Sequence, residues 1–451
     1  MDPVRELILA ETRRQFFGKV AKGVGGLALS SLMAGDDAAG ALPTLGQGQA
    51  LGGLPSLPHF APKAKRVIYL FQSGGPSHID LFDPKPELIK HAGKPLPKEL
   101  GAVMTRRNVA NNALLGPVRP FRKCGKSGLP ISRFFEHLPQ VADELCVIRS
   151  LHGDSVNHPQ SVYQMNTGSI LAGRPSLGSW VTYGLGNESR DLPAFVVMLD
   201  NDQEPPGGPR NWGTGFMNAT FQGTRFRQGP TPILNLAGPD TIGPKQQRGK
   251  LDLLAELNRR HALRRRGNSE LEARIASYEL AYQMQSTAPE AVDLNTEDEE
   301  TKSLYGIDRE KTADFGRKCL MARRLVERGV RFVNLFHASW DHHDGLDKDL
   351  KYNCSIVDQP VAALLKDLKQ RGLLEDTLVV FTGEFGRTPL ADTHEGNGQQ
   401  PGRDHHPYAF SLWMAGGGVK GGQVVGKTDE LGWAPVEDPV HINDFHPTLL
   451  H

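Results

Sequence analysis

The sequence predicts an α/β fold: a mainly parallel central sheet covered by helices on both faces. Three observations predict it. Short apolar runs recur at Arg66–Phe71, Leu145–Arg149, Ala194–Leu199, Val330–Phe336, Thr377–Phe381 and Ala409–Ala415. Strands this uniformly apolar are those buried on both faces. Helical periodicity is strong at Lys250–Arg266, Ser269–Gln285, Thr312–Arg328 and Ser355–Arg371. Finally, the last of these helices ends at Gly372 and leads through a short loop into the Thr377 strand, an αβ unit of the kind that builds doubly wound sheets.

Taken in order, the chain opens with Thr12-Arg13-Arg14-Gln15-Phe16-Phe17, a twin-arginine pattern. An apolar, glycine-containing stretch from Val20 to Met33 follows, then Ala39-Gly40-Ala41, a small-residue cleavage site. The apolar part is too short and too rich in glycine for a stable membrane span. An amphipathic N-terminal helix is the alternative. Residues 1–41 therefore read as a twin-arginine signal peptide, which places the protein in the periplasm or outside the cell. This route carries folded proteins, often with a metal or cofactor already loaded. Residues 42–64 form a Pro/Gly-rich linker, and the α/β domain occupies 65–451.

Within that domain, residues 200–308 break the rhythm and read as an inserted cap. The insertion starts with a Gly/Pro/aromatic stretch from Pro205 to Arg227. Trp212 and the loop from Gly207 to Phe216 either rim a cleft or form an ordered structural loop. Two charged helices follow, whose basic run Arg259-Arg260-His261 with Arg264-Arg265-Arg266 spreads around several helix faces as a solvated surface. Glu297-Asp298-Glu299-Glu300 reads as an exposed linker. In the last predicted helix Val357, Val361, Leu364, Leu365 and Leu368 make the apolar stripe. Cys124, Cys146, Cys319 and Cys354 show no CxxC spacing and read as buried thiols. A net charge of +1 across 451 residues supplies no field to steer a polyanion, so nucleic acid is not a partner.

Chemistry-bearing residues gather on loops that follow apolar strands. Trp340-Asp341-His342-His343-Asp344 comes after the Val330 strand, and Gly383-Glu384-Phe385-Gly386-Arg387 after the Thr377 strand. Arg403-Asp404-His405-His406 precedes the Ala409 strand. Ligands collect at the carboxyl ends of strands in open α/β sheets, and converging imidazole and carboxylate groups suit a divalent ion. Alternate residues of an extended segment point the same way, so Asp341 and His343 can face one centre and His342 another. A helix cap with surface histidines is the other reading of that loop. Glu384 needs a cation or hydrogen bonds. Arg387 can supply the pairing, or it can bind an anionic group bidentately. Asp404 suits an orienting partner for His405 or His406. The turn Gly74-Gly75-Pro76-Ser77-His78 lacks a phosphate-loop lysine and the nucleophile-elbow order. Ser77 is a weak nucleophile candidate there, and His78 and Asp80 are candidates for metal or hydrogen bonding.

The run from Arg66 to Lys85 resembles the opening signature of domain-of-unknown-function family 1501 (DUF1501). So do Asn166-Thr167-Gly168 with Gly173-Arg174-Pro175-Ser176, Trp340-Asp341-His342-His343, Gly383 to Pro389, and Gly402-Arg403-Asp404-His405-His406. The likeness covers about Arg66 to Leu450. Such proteins look like distant relatives of the alkaline phosphatase and sulfatase superfamily. Ser355 to Thr382 resembles the sulfatase helix–strand unit that leads into a metal-binding Asp-His-Gly. Ala415 to Gly422 resembles its late glycine turn, and Ile442 to Leu450 its late helix. His158-Pro159 and Thr167-Gly168 have the separation found between the sulfatase nucleophile and its Thr-Gly.

The resemblance implies a three-layer αβα, alkaline-phosphatase-like architecture whose C-terminal segment, usual in that superfamily, is missing beyond the late helix. It also implies an exported metal-dependent hydrolase of sulfate or phosphate esters, with metal-bound hydroxide as nucleophile. The substrate would be an anionic ester such as a sulfated or phosphorylated carbohydrate. Asp341, His342, His343, Glu384, His405 and His406 are the candidate ligands of a divalent ion such as zinc, manganese or calcium. Arg387 would neutralise the ester, and His158 would lie beside the reacting centre. Departures matter too: His158 stands at the nucleophile position, Glu384-Phe385 replaces Asp-His, and Gln72-Ser73 stands where an aspartate would bind metal. They keep open a catalytically degenerate binding or scaffold protein.

Overall fold

The computed structural model describes residues 61–451 apart from 101–104, 201–202, 228–231, 234–241, 265–268 and 394–399. The twin-arginine segment and most of the linker lie outside the described residues. The main sheet comprises β1 (Arg66–Gln72), β2 (Cys146–His152), β3 (Phe195–Met198), β4 (Thr224–Phe226), β5 (Phe332–His337), β6 (Thr377–Thr382), β7 (Phe410–Ala415), β8 (Gln423–Val425) and β9 (Val440–His441). Its order is β8-β2-β7-β6-β1-β5-β3-β4, with β9 also pairing β2. β1 lies parallel between β5 and β6, and only β7 runs antiparallel to its neighbours.

Alternation along β1 explains the layers. Ile68 and Leu70 face one side, where α5 (Ala313–Glu327) and α6 (Leu346–Gln370) bury Cys319, Leu320, Val326, Val357, Val361 and Leu364. Val67, Tyr69 and Phe71 face the other side. There α1 (His158–Thr167), α2 (Leu177–Leu185) and α7 (Ile442–Leu450) contribute Val162, Met165, Leu177, Val181, Ile442 and Phe445. The architecture is thus αβα with a mainly parallel sheet. Cys124, Cys146, Cys319 and Cys354 are all buried free thiols.

Several details differ from the expectations. α6 begins at Leu346 rather than Ser355, because Leu346, Leu350 and Cys354 extend the buried stripe backward between charged residues. The region 200–308 holds α3 (Pro244–Arg264) and α4 (Ser269–Val292), yet it also contributes the edge strand β4 to the main sheet. Trp212 does not rim a cleft: it is 3% exposed and packs on Phe336 with ring centroids 5.8 Å apart. The acidic run is not a plain exposed linker either. Glu297 pairs with Arg323 at 2.7 Å and with Arg324, and Asp298 caps the helix Glu299–Leu304. Two arginines on the buried side of α5 require a carboxylate, and Glu297 supplies it.

Candidate functional site

β1, β5 and β6 are neighbours at the centre of the sheet, and the loops leaving their carboxyl ends converge. The loop after β1 makes the first wall. Gly74 adopts φ +122°, and a Cβ there would lie 2.5 Å from the Asp341 backbone nitrogen. Only glycine lets the two loops touch. The Gly74 N–H donates to Glu384 Oε1 at 2.9 Å and Oε2 at 3.1 Å, which ties the loop after β6 to the loop after β1. His405 arrives on a two-residue ribbon, His405–His406, paired antiparallel with Gly386–Arg387.

Asp341 is the hub. Its Oδ1 lies 3.0 Å from His343 Nε2 and 3.1 Å from His405 Nε2, and its Oδ2 lies 3.1 Å from His158 Nε2. The far nitrogen of each ring is tied down. His405 Nδ1 donates to the Val156 carbonyl at 2.7 Å. His343 Nδ1 lies 2.7 Å from Asp392 Oδ2, and His158 Nδ1 lies 2.7 Å from Glu384 Oε1. A carbonyl or carboxylate oxygen accepts, so each Nδ1 carries hydrogen, and a ring in its neutral form turns an Nε2 lone pair toward Asp341. His343 Nε2 and His405 Nε2 also lie 3.0 Å apart. So many acceptors at contact distance require a cation between them, either a proton or a metal ion.

Protonation follows the same logic. Burial disfavours charge on His158, but the neighbouring carboxylates of Asp341 and Glu384 outweigh it and push the imidazole up to about 9. Burial also opposes ionisation of Asp341, yet contacts with His158, His343, His405 and Arg387 hold its carboxyl far below the usual range. His343 is burdened by burial but raised on balance by Asp341 and Asp392. His405 is lowered, chiefly by burial.

The donor set fits a divalent ion. Two donors each about 2.0–2.1 Å from a tetrahedral ion lie roughly 3.3 Å apart, a few tenths beyond the 3.0–3.1 Å from Asp341 to each Nε2. His158, Asp341 and His405 bring ligand atoms within 4.8 Å of one another, as do His343, Asp404 and His405. The cluster is open at Asp341, whose side chain is 41% exposed, and closed beneath by Phe385. The Phe385 ring lies 5.0 Å from that of His158 and 4.6 Å from that of His405.

Other candidates lie elsewhere. His342 turns away, with Nε2 3.0 Å from the Ser339 carbonyl and 3.1 Å from Asn353 Nδ2. His406, on the opposite face of the ribbon, sets Nε2 2.5 Å from the Trp433 carbonyl. Arg387 is 1% exposed and fully engaged. It donates to the carbonyls of Gly75 (2.8 Å), Arg403 (2.9 Å), Trp340 (3.3 Å) and Gly74, and to Asp341 Oδ1 at 2.6 Å. It anchors Asp341 and presents no free face to an ester. Asp80 pairs with buried Arg403 at 2.8 Å and accepts from Ser77 Oγ at 2.5 Å, so both belong to a buried strut under the site. His78 Nε2 lies 3.1 Å from the Gly432 carbonyl. Asp404 Oδ1 accepts from the His405 N–H at 2.8 Å and Oδ2 from the Arg107 N–H at 2.7 Å. The carboxamide of Gln72 is buried without a partner among the described residues.

Asp392 was not singled out by sequence. It stands alone in Leu390-Ala391-Asp392-Thr393, and no local spacing signal links it to His343. Val156 acts through its main chain and is invisible to residue type.

The model of a family described as "Protein of unknown function (DUF1501)" matches residues 64–451. Comparison with curated proteins finds no match to this chain. Among solved structures, the chain is similar to the PsFucS1 sulfatase from Pseudoalteromonas sp. at 12% identity and a TM-score of 0.36, covering 86% of this chain and 67% of that one. It is similar to the C-terminal periplasmic domain of EcEptC from Escherichia coli, in complex with zinc, at 10% identity and a TM-score of 0.35, covering 90% and 85%. The alkaline phosphatase from the Antarctic bacterium TAB5 matches at 10% identity and a TM-score of 0.30, covering 86% and 98%.

Proposed function

The chain belongs to the DUF1501 family, and on that premise we propose that it is an exported, metal-dependent hydrolase of sulfate or phosphate esters. One observation carries the reading: three imidazoles, each with Nδ1 tied to an oxygen, turn Nε2 onto the carboxylate of Asp341. Asp341, His158, His343 and His405 would hold a divalent ion. When bound, such an ion polarises an ester oxygen and lowers the pKa of a water molecule, which is the chemistry ester hydrolysis needs.

The chain's own residues supply the rest. Arg387 fixes the Asp341 carboxylate from below and leaves its exposed side to the substrate. Glu384 holds the His158 ring, and Phe385 excludes water from beneath the imidazoles. No arginine among these faces the open side, so the charge of the ester would be met by the ion. The pattern Thr12 to Phe17 supports export, and among the described residues no helix is long and apolar enough to cross a membrane. A sulfated or phosphorylated carbohydrate is the substrate class to screen first.

A second reading is a degenerate binding protein of the same fold. Arg387, 2.6 Å from Asp341, together with a charged His158 between Asp341 and Glu384, can neutralise the cluster without an ion. Elemental mass spectrometry on the purified protein, with an ester panel assayed alongside, tests the choice. Near-stoichiometric metal and turnover, both lost in His405→Ala, are expected for the hydrolase. A metal-free protein, or a loaded one with no turnover, leaves the binding protein.

A further inference from the structure

Resting on the reading that this cluster holds a divalent ion, we infer that Glu384 and Asp392 are positioning residues, not ligands. The structure assigns the site to one borderline transition-metal ion, such as zinc or cobalt(II), held by Asp341 and the Nε2 atoms of His158, His343 and His405, with calcium and magnesium rejected.

The geometry separates ligands from supports. Glu384 is 1% exposed and both its oxygens are engaged: Oε1 by His158 Nδ1 at 2.7 Å and the Gly74 N–H at 2.9 Å, Oε2 by the same N–H at 3.1 Å. A carboxylate fixed by donors on the far side of the His158 ring orients that ring and does not replace it. Asp392 is likewise 1% exposed, and its Oδ2 lies 2.7 Å from His343 Nδ1, again on the side away from Asp341. The Val156 carbonyl performs the same task for His405. Imidazoles that bind metal almost always donate their other N–H to a carboxylate or carbonyl, and three such rings here carry three such acceptors.

The donor count then selects the ion. Three imidazole nitrogens and one carboxylate suit zinc-class metals, whereas calcium takes six to eight oxygens and magnesium near-octahedral oxygen with retained water. Asp404 also brings a carboxylate oxygen near His343 and His405, but its Oδ1 accepts from the His405 N–H at 2.8 Å and its Oδ2 from the Arg107 N–H at 2.7 Å. The three Nε2 atoms, each within 3.1 Å of Asp341 and with Nδ1 already used, are therefore assigned to one centre on that carboxylate.

The test uses the full chain, stripped with chelator and titrated separately with zinc, cobalt(II), calcium and magnesium. Zinc X-ray absorption on the loaded protein counts imidazoles directly and needs no variant. One equivalent of zinc or cobalt with three imidazoles in the shell is expected, with no binding of calcium or magnesium at millimolar concentration. Glu384→Gln and Asp392→Asn should keep the single equivalent and the imidazole count while affinity falls about 10–100-fold. His405→Ala should lose an imidazole and far more affinity. Two equivalents, calcium binding as tight as zinc, or a Glu384→Gln defect equal to that of His405→Ala would overturn the assignment. A protein that binds one zinc in this shell but hydrolyses no ester sinks the hydrolase alone. Hydrolysis sustained by calcium sinks the metal assignment alone, and binding of no metal sinks both.

Discussion

Asp80→Ala separates a strut from a ligand. Asp80 and Arg403 are both fully buried, and the guanidinium donates to Asp80 at 2.8 and 3.4 Å. Its remaining N–H groups meet the carbonyls of Leu115 (3.0 Å), Thr388 (3.3 Å) and Gly116 (2.9 Å). Asp80 also accepts from Ser77 Oγ at 2.5 Å and from the Val118 N–H at 2.9 Å. Removing the carboxylate leaves a buried guanidinium without its counter-charge, which costs about 3–5 kcal/mol. With an unfolding entropy of about 2.1 cal/mol/K per residue over a domain of this size, Tm should fall by roughly 4–6 °C. The damage should reach the site indirectly, because the Arg403 carbonyl accepts from Arg387, which in turn holds Asp341. Differential scanning calorimetry, paired with metal titration of the variant below its transition, measures both effects. A variant that melts like the wild type but no longer binds metal would refute the strut and make Asp80 a ligand.

Other consequences are equally concrete. Arg387→Lys should destabilise by about 2–4 kcal/mol, since an ammonium cannot span the buried carbonyls of Gly75, Arg403 and Trp340, and urea unfolding will show it. Gly402→Ala would place a Cβ 2.1 Å from the His343 carbonyl carbon; pushing that loop back should cost about 1–3 kcal/mol and weaken metal binding in titration. His78 is held neutral by burial, with its pKa down at about 4. The unfolded chain therefore binds more protons between about pH 4 and 6.5, and stability falls as pH drops through that window. Melts at pH 7.5 and 5.0 should differ less in His78→Gln than in the wild type.

Much of the fold was legible because burial period is a short-range property. The six apolar runs became strands within three residues at each end, since a strand covered on both faces admits few polar residues. α1 was not legible. His158-Pro159-Gln160-Ser161 carries no apolar stripe, and the helix forms because β1 and α7 cover Val162 and Met165. Edge strands β4, β8 and β9 are too short to show an alternation.

By itself the sequence placed the Asp341 and Glu384 loops at the sheet's carboxyl edge, because each follows an apolar run, whereas His405 precedes its strand and reaches that edge because β7 runs antiparallel. It could also limit each adjacent pair to one inward member, since neighbours in extended backbone face opposite ways. The tertiary structure alone decided which member. His405 faces Asp341 and His406 faces Trp433 because the ribbon pairs His405 with Arg387, and a one-residue slip would exchange them. It decided too that Arg387 and Glu384 support the cluster from behind. Each is committed to partners hundreds of positions away, at Gly74, Gly75 and His158. Such contacts are set by how the loops pack over β1, and no local pattern in the chain encodes that packing.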